Sequence, residues 1–235
     1  MTRFRIENDM LALFPEVRIG LVMVTGIDNR TGADPAAALL AQQITQTAAI
    51  LPDEDLAALP AIAPWRQAYA AFGVKPSKTR SSIENLLRSA KASRLRSINP
   101  LVDLYNTISL AHQLPAGGED LATISGDIVL CRAMGNEHFV PLGGSELEPP
   151  PAGAVIYRDD VGVICSCWNW READRTKLTE TTTDAVLVME SIPPLDPAGL
   201  DTGLGALAHL VTTHLGGRAT IHLLTHQNPS VDLPI

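Results

Sequence analysis

Three groups of polar residues in this chain have types and spacing that could do chemistry. The first is the line Asn99, Asp103, Asn106, spaced four and then three residues apart, which stacks it on one face of a helix. Spacing alone leaves two readings open: a solvated face, or one wall of a site. The second is the run Trp168-Asn169-Trp170-Arg171-Glu172-Ala173-Asp174-Arg175-Thr176-Lys177, in a chain with only 4% aromatic residues. Tryptophan offers a stacking surface to a base or an aromatic ligand, and Arg171 and Arg175 offer contacts to phosphate or carboxylate. The plainer reading is a loop pinned by buried tryptophans and closed by ion pairs. The third is Glu190, at the end of the apolar run Ala185-Val186-Leu187-Val188-Met189. A carboxylate there sits half-buried at a sheet end, where it binds an amine or hydroxyl with a shifted pKa, or pairs with an arginine.

Other chemistry is disfavoured. Phosphate loops, dinucleotide glycine fingerprints and G-x-S-x-G elbows are missing, which argues against ATP-driven ligation and serine-triad hydrolysis. Cys131, Cys165 and Cys167 form neither a disulfide framework nor a zinc set with a second pair, so free thiols are expected. His222 and His226 are four apart but straddle a strand end. No metal and no cofactor is expected.

The net charge of −8 conceals an uneven distribution. Between Arg66 and Arg96 lie eight basic residues and one acid, Glu84, a window of +7 that leaves −15 for the remainder. A basic segment on an acidic body is the footprint of a surface that contacts phosphates, although a solvated helical face has the same composition. Lys75, Lys78, Arg80, Arg88 and Lys91 are the candidates for such contacts.

These groups must be positioned by elements that the periodicity predicts. Residues 17–24 read as a buried strand, followed by an alanine-rich helix over 34–51 with Asp34 as N-cap. Pro64 opens another helix that ends near Gly73. Ser81 with Glu84 forms a capping box for the next helix, with Ile83, Leu86, Leu87 and Ala90 buried and Arg80, Glu84, Arg88 and Lys91 on the exposed side. Asn99 caps a helix over 100–112, opened by Pro100 and closed by the run Leu114-Pro115-Ala116-Gly117-Gly118. Strands are predicted over 128–134, 137–141, 154–157, 161–167 and 185–189, then a helix over 201–215 and a strand over 219–224, with a frayed tail from Gln227. Helices, then strands, then a helix and a strand make an α+β fold with a mostly antiparallel sheet and flanking helices.

One domain over 1–235 is expected, with its motif-bearing core at about 66–192 and with 1–65 and 193–235 as packed extensions. No apolar run reaches the roughly 18 residues of a membrane span. The start carries charge in place of a signal peptide's apolar stretch, so a cytoplasmic location is the default.

A family resemblance rests on motifs in order and with similar gaps. Phe72-Gly73-Val74-Lys75-Pro76-Ser77 and Arg96-Ser97-Ile98-Asn99-Pro100-Leu101-Val102-Asp103 are similar to a helix with an I-N-x-x-V-D-x-x-N motif and its approach. Gly126-Asp127-Ile128-Val129-Leu130-Cys131-Arg132-Ala133, with Gly135 and Glu137, is similar to a G-x-I-x-V-R-x-A…G-E strand pair. The run from Thr181 to Glu190 is similar to T-x-x-x-x-L-E. Together they resemble the B3/B4 domain of the phenylalanyl-tRNA synthetase β subunit. Tyr69, Ser81-Ser82 and the tryptophan run look like a free-standing bacterial branch of that family.

The resemblance implies an editing site that hydrolyses wrongly charged tRNA, with tRNA as partner. It places Asn106 at an asparagine lining that pocket and Glu190 at a glutamate reading a tyrosine hydroxyl. Tyr105 stands where the family has threonine and Gly117 where it has histidine, which implies a substrate different from the synthetase's own. Glu190, Asp103 or Glu172 would orient or deprotonate water, Asn106 would stabilise the oxyanion, and Trp168 or Trp170 would stack the terminal adenosine, with Asn169 among the substrate-binding residues. The alternatives are a non-catalytic module that binds tRNA or an amino acid, and a small-molecule enzyme reusing the pocket. The chain is too short for a full synthetase.

Overall fold

Alternation of Phe4 and Ile6 with Arg3 and Arg5 gives the first strand, a period that buries one face. The computed structural model describes residues 2–53, 55–194 and 197–233. In chain order its elements are β1 (Thr2–Ile6), α1 (Asn8–Leu13), β2 (Arg18–Thr25), α2 (Ala33–Ile50), α3 (Ala63–Ala71), α4 (Ser82–Lys91), α5 (Pro100–His112), β3 (Ala116–Asp120), β4 (Ile128–Arg132), β5 (Val155–Arg158), β6 (Val163–Ser166), β7 (Arg171–Glu172), β8 (Ala185–Ser191), α6 (Pro197–Leu215), β9 (Arg218–Leu224) and β10 (Ser230–Leu233).

The strands form two sheets, not one. A four-stranded sheet has the order β3-β8-β2-β9 and is antiparallel throughout. A six-stranded sheet has the order β10-β1-β4-β5-β6-β7, antiparallel except for the β1–β4 pair. The fold is α+β, as expected. Alternation along β2 and β8 divides two cores. Val22, Val24, Leu187 and Met189 pack with α5 and α6, while Ile19, Leu21, Met23 and Val186 face the other sheet. That second face meets Phe4, Ile128, Leu130 and Ile164 of the six-stranded sheet, together with Trp65 of α3 and Ile83 and Leu87 of α4. The main core therefore lies between the sheets.

Local grammar holds where capping decides. Asn99 accepts from the Val102 amide at 3.1 Å, and Ser81 accepts from the Glu84 amide at 3.4 Å. Four expectations need correction. Helix α2 starts at Ala33, capped by Gly32 at φ 67° in place of Asp34, because a Cβ at Gly32 would lie 2.7 Å from the His214 carbonyl oxygen. Residues 116–120 are a strand, because β8 offers them an edge to pair with. Residues 137–141 form no strand; Pro141 makes one isolated bridge to Ala173, and the Glu137 carboxylate instead accepts from the Met134 and Gly135 amides. The tail does not fray from Gln227, since β10 pairs with β1 and Asp232 bonds Arg3 at 3.1 Å. Among the described residues no helix is long and apolar enough to cross a membrane.

Candidate functional site

Between the two sheets the core opens into a cleft of about 420 Å³, the size of a small-molecule site. One wall is the face of the four-stranded sheet that carries Gly117, Glu119, Val188 and Glu190. The opposite wall holds Phe4, Ile128, Tyr157, Ile164 and Cys165. Helix α4 contributes Ser82, Asn85, Leu86 and Ser89 at helical spacing, and α5 contributes Tyr105 and Asn106. The loop from Trp168 to Glu172 closes the remaining side, with Leu142 beside it.

Glu190 lies at the inner end and is 2% exposed. Its Oε1 accepts from the Tyr157 hydroxyl at 2.5 Å and the Trp168 Nε1 at 2.6 Å, and its Oε2 accepts from the Asn169 Nδ2 at 2.6 Å. The Asn169 Oδ1 in turn accepts from the Tyr69 hydroxyl at 3.0 Å. Burial raises the Glu190 pKa while the three donors pull it back. Burial also raises the Tyr69 and Tyr157 hydroxyls well above their ordinary value, so both remain neutral donors.

A second acidic centre combines Glu119 of the same sheet face with Glu172 of the closing loop. Gly117 and Glu119 share a face of β3, and the Glu172 Oε1 occupies the space above Gly117, 2.7 Å from where a Cβ would stand. Burial raises the Glu172 carboxyl to about 7. Burial, followed by the charge of Glu172, pushes Glu119 well above the usual carboxylate range. Glu119 is 6% exposed, and its Oε2 has no hydrogen-bond partner. The structure assigns Glu119 to the cleft where the sequence reading passed over it. Its signal in the sequence is weak: two adjacent acids, Glu119 and Asp120, directly after the helix-closing run that ends at Gly118.

The other expected site residues divide. Asn106 lines the cleft, 8% exposed, and its carboxamide makes no hydrogen bond among the described residues. Tyr105, Gly117, Asn169, Trp170, Arg171, Glu172 and Glu190 also line it. Arg171 stands at the rim, 2.8 Å from Glu148 and stacked 5.1 Å from the Trp170 ring centroid. Asp103 does not face the cleft. It accepts from the Ser97 hydroxyl at 2.5 Å and the Ile98 amide at 3.0 Å, and so holds the chain entering α5.

Arg175 is likewise spent on structure, bonded to the buried Asp159 at 2.5 Å and 3.0 Å. Trp168 is fully buried between Phe14, Trp65 and Phe72, so it offers no ring face for stacking.

The basic ridge of α4 also differs from expectation. Glu84 is fully buried and gathers Arg66 at 2.7 Å, Arg88 at 3.0 Å and Arg80 at 3.4 Å, because α3 supplies a cation that the sequence does not place there. Arg88 also meets Asp55 at 3.1 Å, and Lys91 meets Asp53 at 3.6 Å. Lys75 and Lys78 are exposed and make no ion pair among the described residues. Cys131, Cys165 and Cys167 are buried and unpaired. Among the described residues no group of three or more His, Cys, Asp or Glu side chains could hold a metal ion.

The chain is 29% identical over 173 residues to the phenylalanine–tRNA ligase beta subunit of Novosphingobium aromaticivorans, covering 63% of this chain and 21% of that one. It is 26% identical over 172 residues to the same subunit of Zymomonas mobilis, covering 63% and 22%. The chain thus spans about a fifth of the length of these relatives. Among solved structures, an N-terminal fragment of the phenylalanyl-tRNA synthetase beta subunit from Pyrococcus horikoshii aligns with 92% of this chain and 49% of that one, at 13% identity and a TM-score of 0.46. Residues 64–216, which contain α4, α5 and both acidic centres, match the B3/4 domain family, and the chain belongs to that family.

Proposed function

We propose that this protein is an editing hydrolase that releases the amino acid from mischarged aminoacyl-tRNA. The observation that carries the reading is that Asn106, Gly117 and Glu190, the positions at which the family resemblance implies an editing pocket, line one cleft of a B3/4 chain. The chemistry required is modest. An aminoacyl ester is already activated, so an ordered water and a donor to the tetrahedral oxyanion suffice.

Asn106 has an uncommitted carboxamide and serves as that donor. Of the three acids considered for water, Asp103 is committed to the start of α5 and Glu190 to its three donors. Glu172 remains, and with a pKa of about 7 it can accept a proton at neutral pH. Trp170, half-buried at the rim, is the ring left to stack on the terminal adenosine. Lys75 and Lys78 are the cations left to meet phosphates.

The test is deacylation across a panel of tRNAs carrying different wrong amino acids. Release of at least one amino acid is expected, with kcat lowered by about 100-fold or more in Glu172→Gln and about tenfold or more in Asn106→Ala. If no tRNA is deacylated while tRNA still binds with a steep salt dependence, the protein is a binding module and the hydrolase reading fails.

A further inference from the structure

We propose that Glu119 and Glu172 together form a receptor for a primary ammonium group inside the cleft, with Asn106 as its neutral neighbour. The inference rests on the aminoacyl-ester reading of the same cleft and names the chemical group by which the ester is held.

The geometry carries it. The two carboxyls come from different sheets, Glu119 from β3 and Glu172 from β7, and Glu172 reaches over the face that carries Glu119 because position 117 has no side chain. A Cβ there would lie 2.7 Å from the Glu172 Oε1. Both residues line the cleft, and the Glu119 Oε2 lies buried without a partner. Asn106 adds an independent observation: a polar side chain 8% exposed, lining the cleft, with no hydrogen bond among the described residues. Buried polar atoms left unmatched are costly, and a ligand that matches them recovers that cost.

The ligand must be a cation, because an acid pair has no donor to offer once ionised and repels any anion. It must also be compact, since Glu119, Glu172 and Asn106 line one cleft of about 420 Å³ and the unmatched Glu119 Oε2 lies buried within it. A primary ammonium has three donors and satisfies both conditions.

Among the described residues no cation pairs with either acid: Arg175 is committed to Asp159, and Arg171 to Glu148. Tyr105 from α5 and Cys165 from β6 face the pair, and burial holds each toward its neutral form, while the charge of Asp159, just after β5, further favours a proton on Glu119. An unliganded pair therefore keeps a proton near neutrality. Ammonium binding expels that proton to solvent and leaves Glu172 ionised, the state in which it accepts a proton from water.

The ammonium has two sources in an aminoacyl ester, the α-amine or a side-chain amine. Calorimetry on the full chain distinguishes them with stable amide analogues of the acylated end: 3′-alanylamino-3′-deoxyadenosine, its N-acetyl form, and the N-acetyl-lysyl equivalent. At pH 6.5, in buffers of differing ionisation enthalpy, binding of the alanyl or the acetyl-lysyl probe is expected to release about one proton. Glu119→Gln should weaken that binding by about tenfold or more and cut the proton release. Gly117→Ala, which moves Glu172 without changing any charge, should weaken it as well.

Binding of the alanyl probe alone assigns the α-amine, and binding of the acetyl-lysyl probe alone assigns a side-chain amine; either supports the receptor. If the N-acetylalanyl probe binds as tightly as the alanyl one, or if no proton is released, the receptor is overturned and the tRNA reading survives. If the adenosine probes fail while L-alaninamide binds with proton release, the receptor stands and the tRNA reading falls. If none of these amines binds, the receptor is overturned.

Discussion

The cleft holds two acidic centres built on opposite plans. Glu190 is a buried carboxylate matched by three donors, each fixed by its own packing: Tyr157 on β5, Trp168 in the core, and Asn169 held by Tyr69. Glu119, buried, and Glu172, half-buried, are carboxyls that line the same cleft, with the Glu119 Oε2 unmatched and no ion pair to either among the described residues. An acid matched by the protein makes structure, since each lone pair so filled is closed to a ligand. An unmatched pair reduces stability and keeps its oxygens available. On the proposed reading the chemistry of the cleft lies with the pair, and Glu190 is the frame that holds the tryptophan loop.

The largest effect should come from Glu190→Ala. It leaves three buried donors without an acceptor and should cost about 3–5 kcal/mol in urea unfolding. A loss below about 1 kcal/mol would show that the three hydrogen bonds do not hold the loop.

Glu172→Gln should move stability in the opposite direction. The folded carboxyl keeps its proton up to about pH 7, whereas the unfolded chain loses it near 4.5, so stability falls as pH rises between those values. Glutamine mimics the protonated form and removes that fall. The variant should be about 1–2 kcal/mol more stable than the parent at pH 8 and equal to it near pH 4.5. A pH-independent difference would mean that Glu172 does not titrate in the folded protein as described.

Gly117→Ala should be smaller still, costing about 1 kcal/mol as the Glu172 carboxyl swings aside. Its more telling readout is the titration of Glu172, which should drop toward the ordinary carboxylate value once the group leaves its desolvated place above Gly117. No change in that titration would mean that the carboxyl does not sit over Gly117.

The same distinction between matched and unmatched charge applies to the basic segment made by α4 and the turn before it. Lys78→Ala should weaken tRNA binding by about threefold and lower the salt slope by about one, measured by filter binding over a salt series. Lys91→Ala, whose charge already faces Asp53, should change it less than about twofold. Equal losses would mean that tRNA displaces the acidic partners.

What the sequence disclosed and what it hid follow from the range of the interactions. The cap of α5 was readable because Asn99, Pro100 and Val102 are neighbours along the chain. Strand β8 was readable because its apolar residues, Ala185 to Met189, are consecutive along the chain. The burial of Trp168 was not, because Phe14, Trp65 and Phe72 reach it from two distant segments of the chain. Glu84 looked exposed because its own helix places it among cations, and only the docking of α3 brings Arg66 over it. Strand β10 looked frayed because its partner lies at the far end of the sequence. Glu119 escaped notice because its importance lies in what faces it, a carboxyl from the other sheet admitted by a glycine two residues earlier.

The turn that carries Trp168 inward has a further consequence. Cys167 at φ 50° and Trp168 at φ 67° are successive non-glycine residues in the left-handed region, a conformation that costs L-residues about 1 kcal/mol or more each. Nothing in the two side chains favours that backbone; the buried indole and its bond to Glu190 hold it in place. The inner end of the cleft is thus a latch under load. Of all the buried side chains that line it, Trp168 is the one whose departure the main chain would favour, and a glycine at 167 would remove part of that load while leaving the seat of the indole intact.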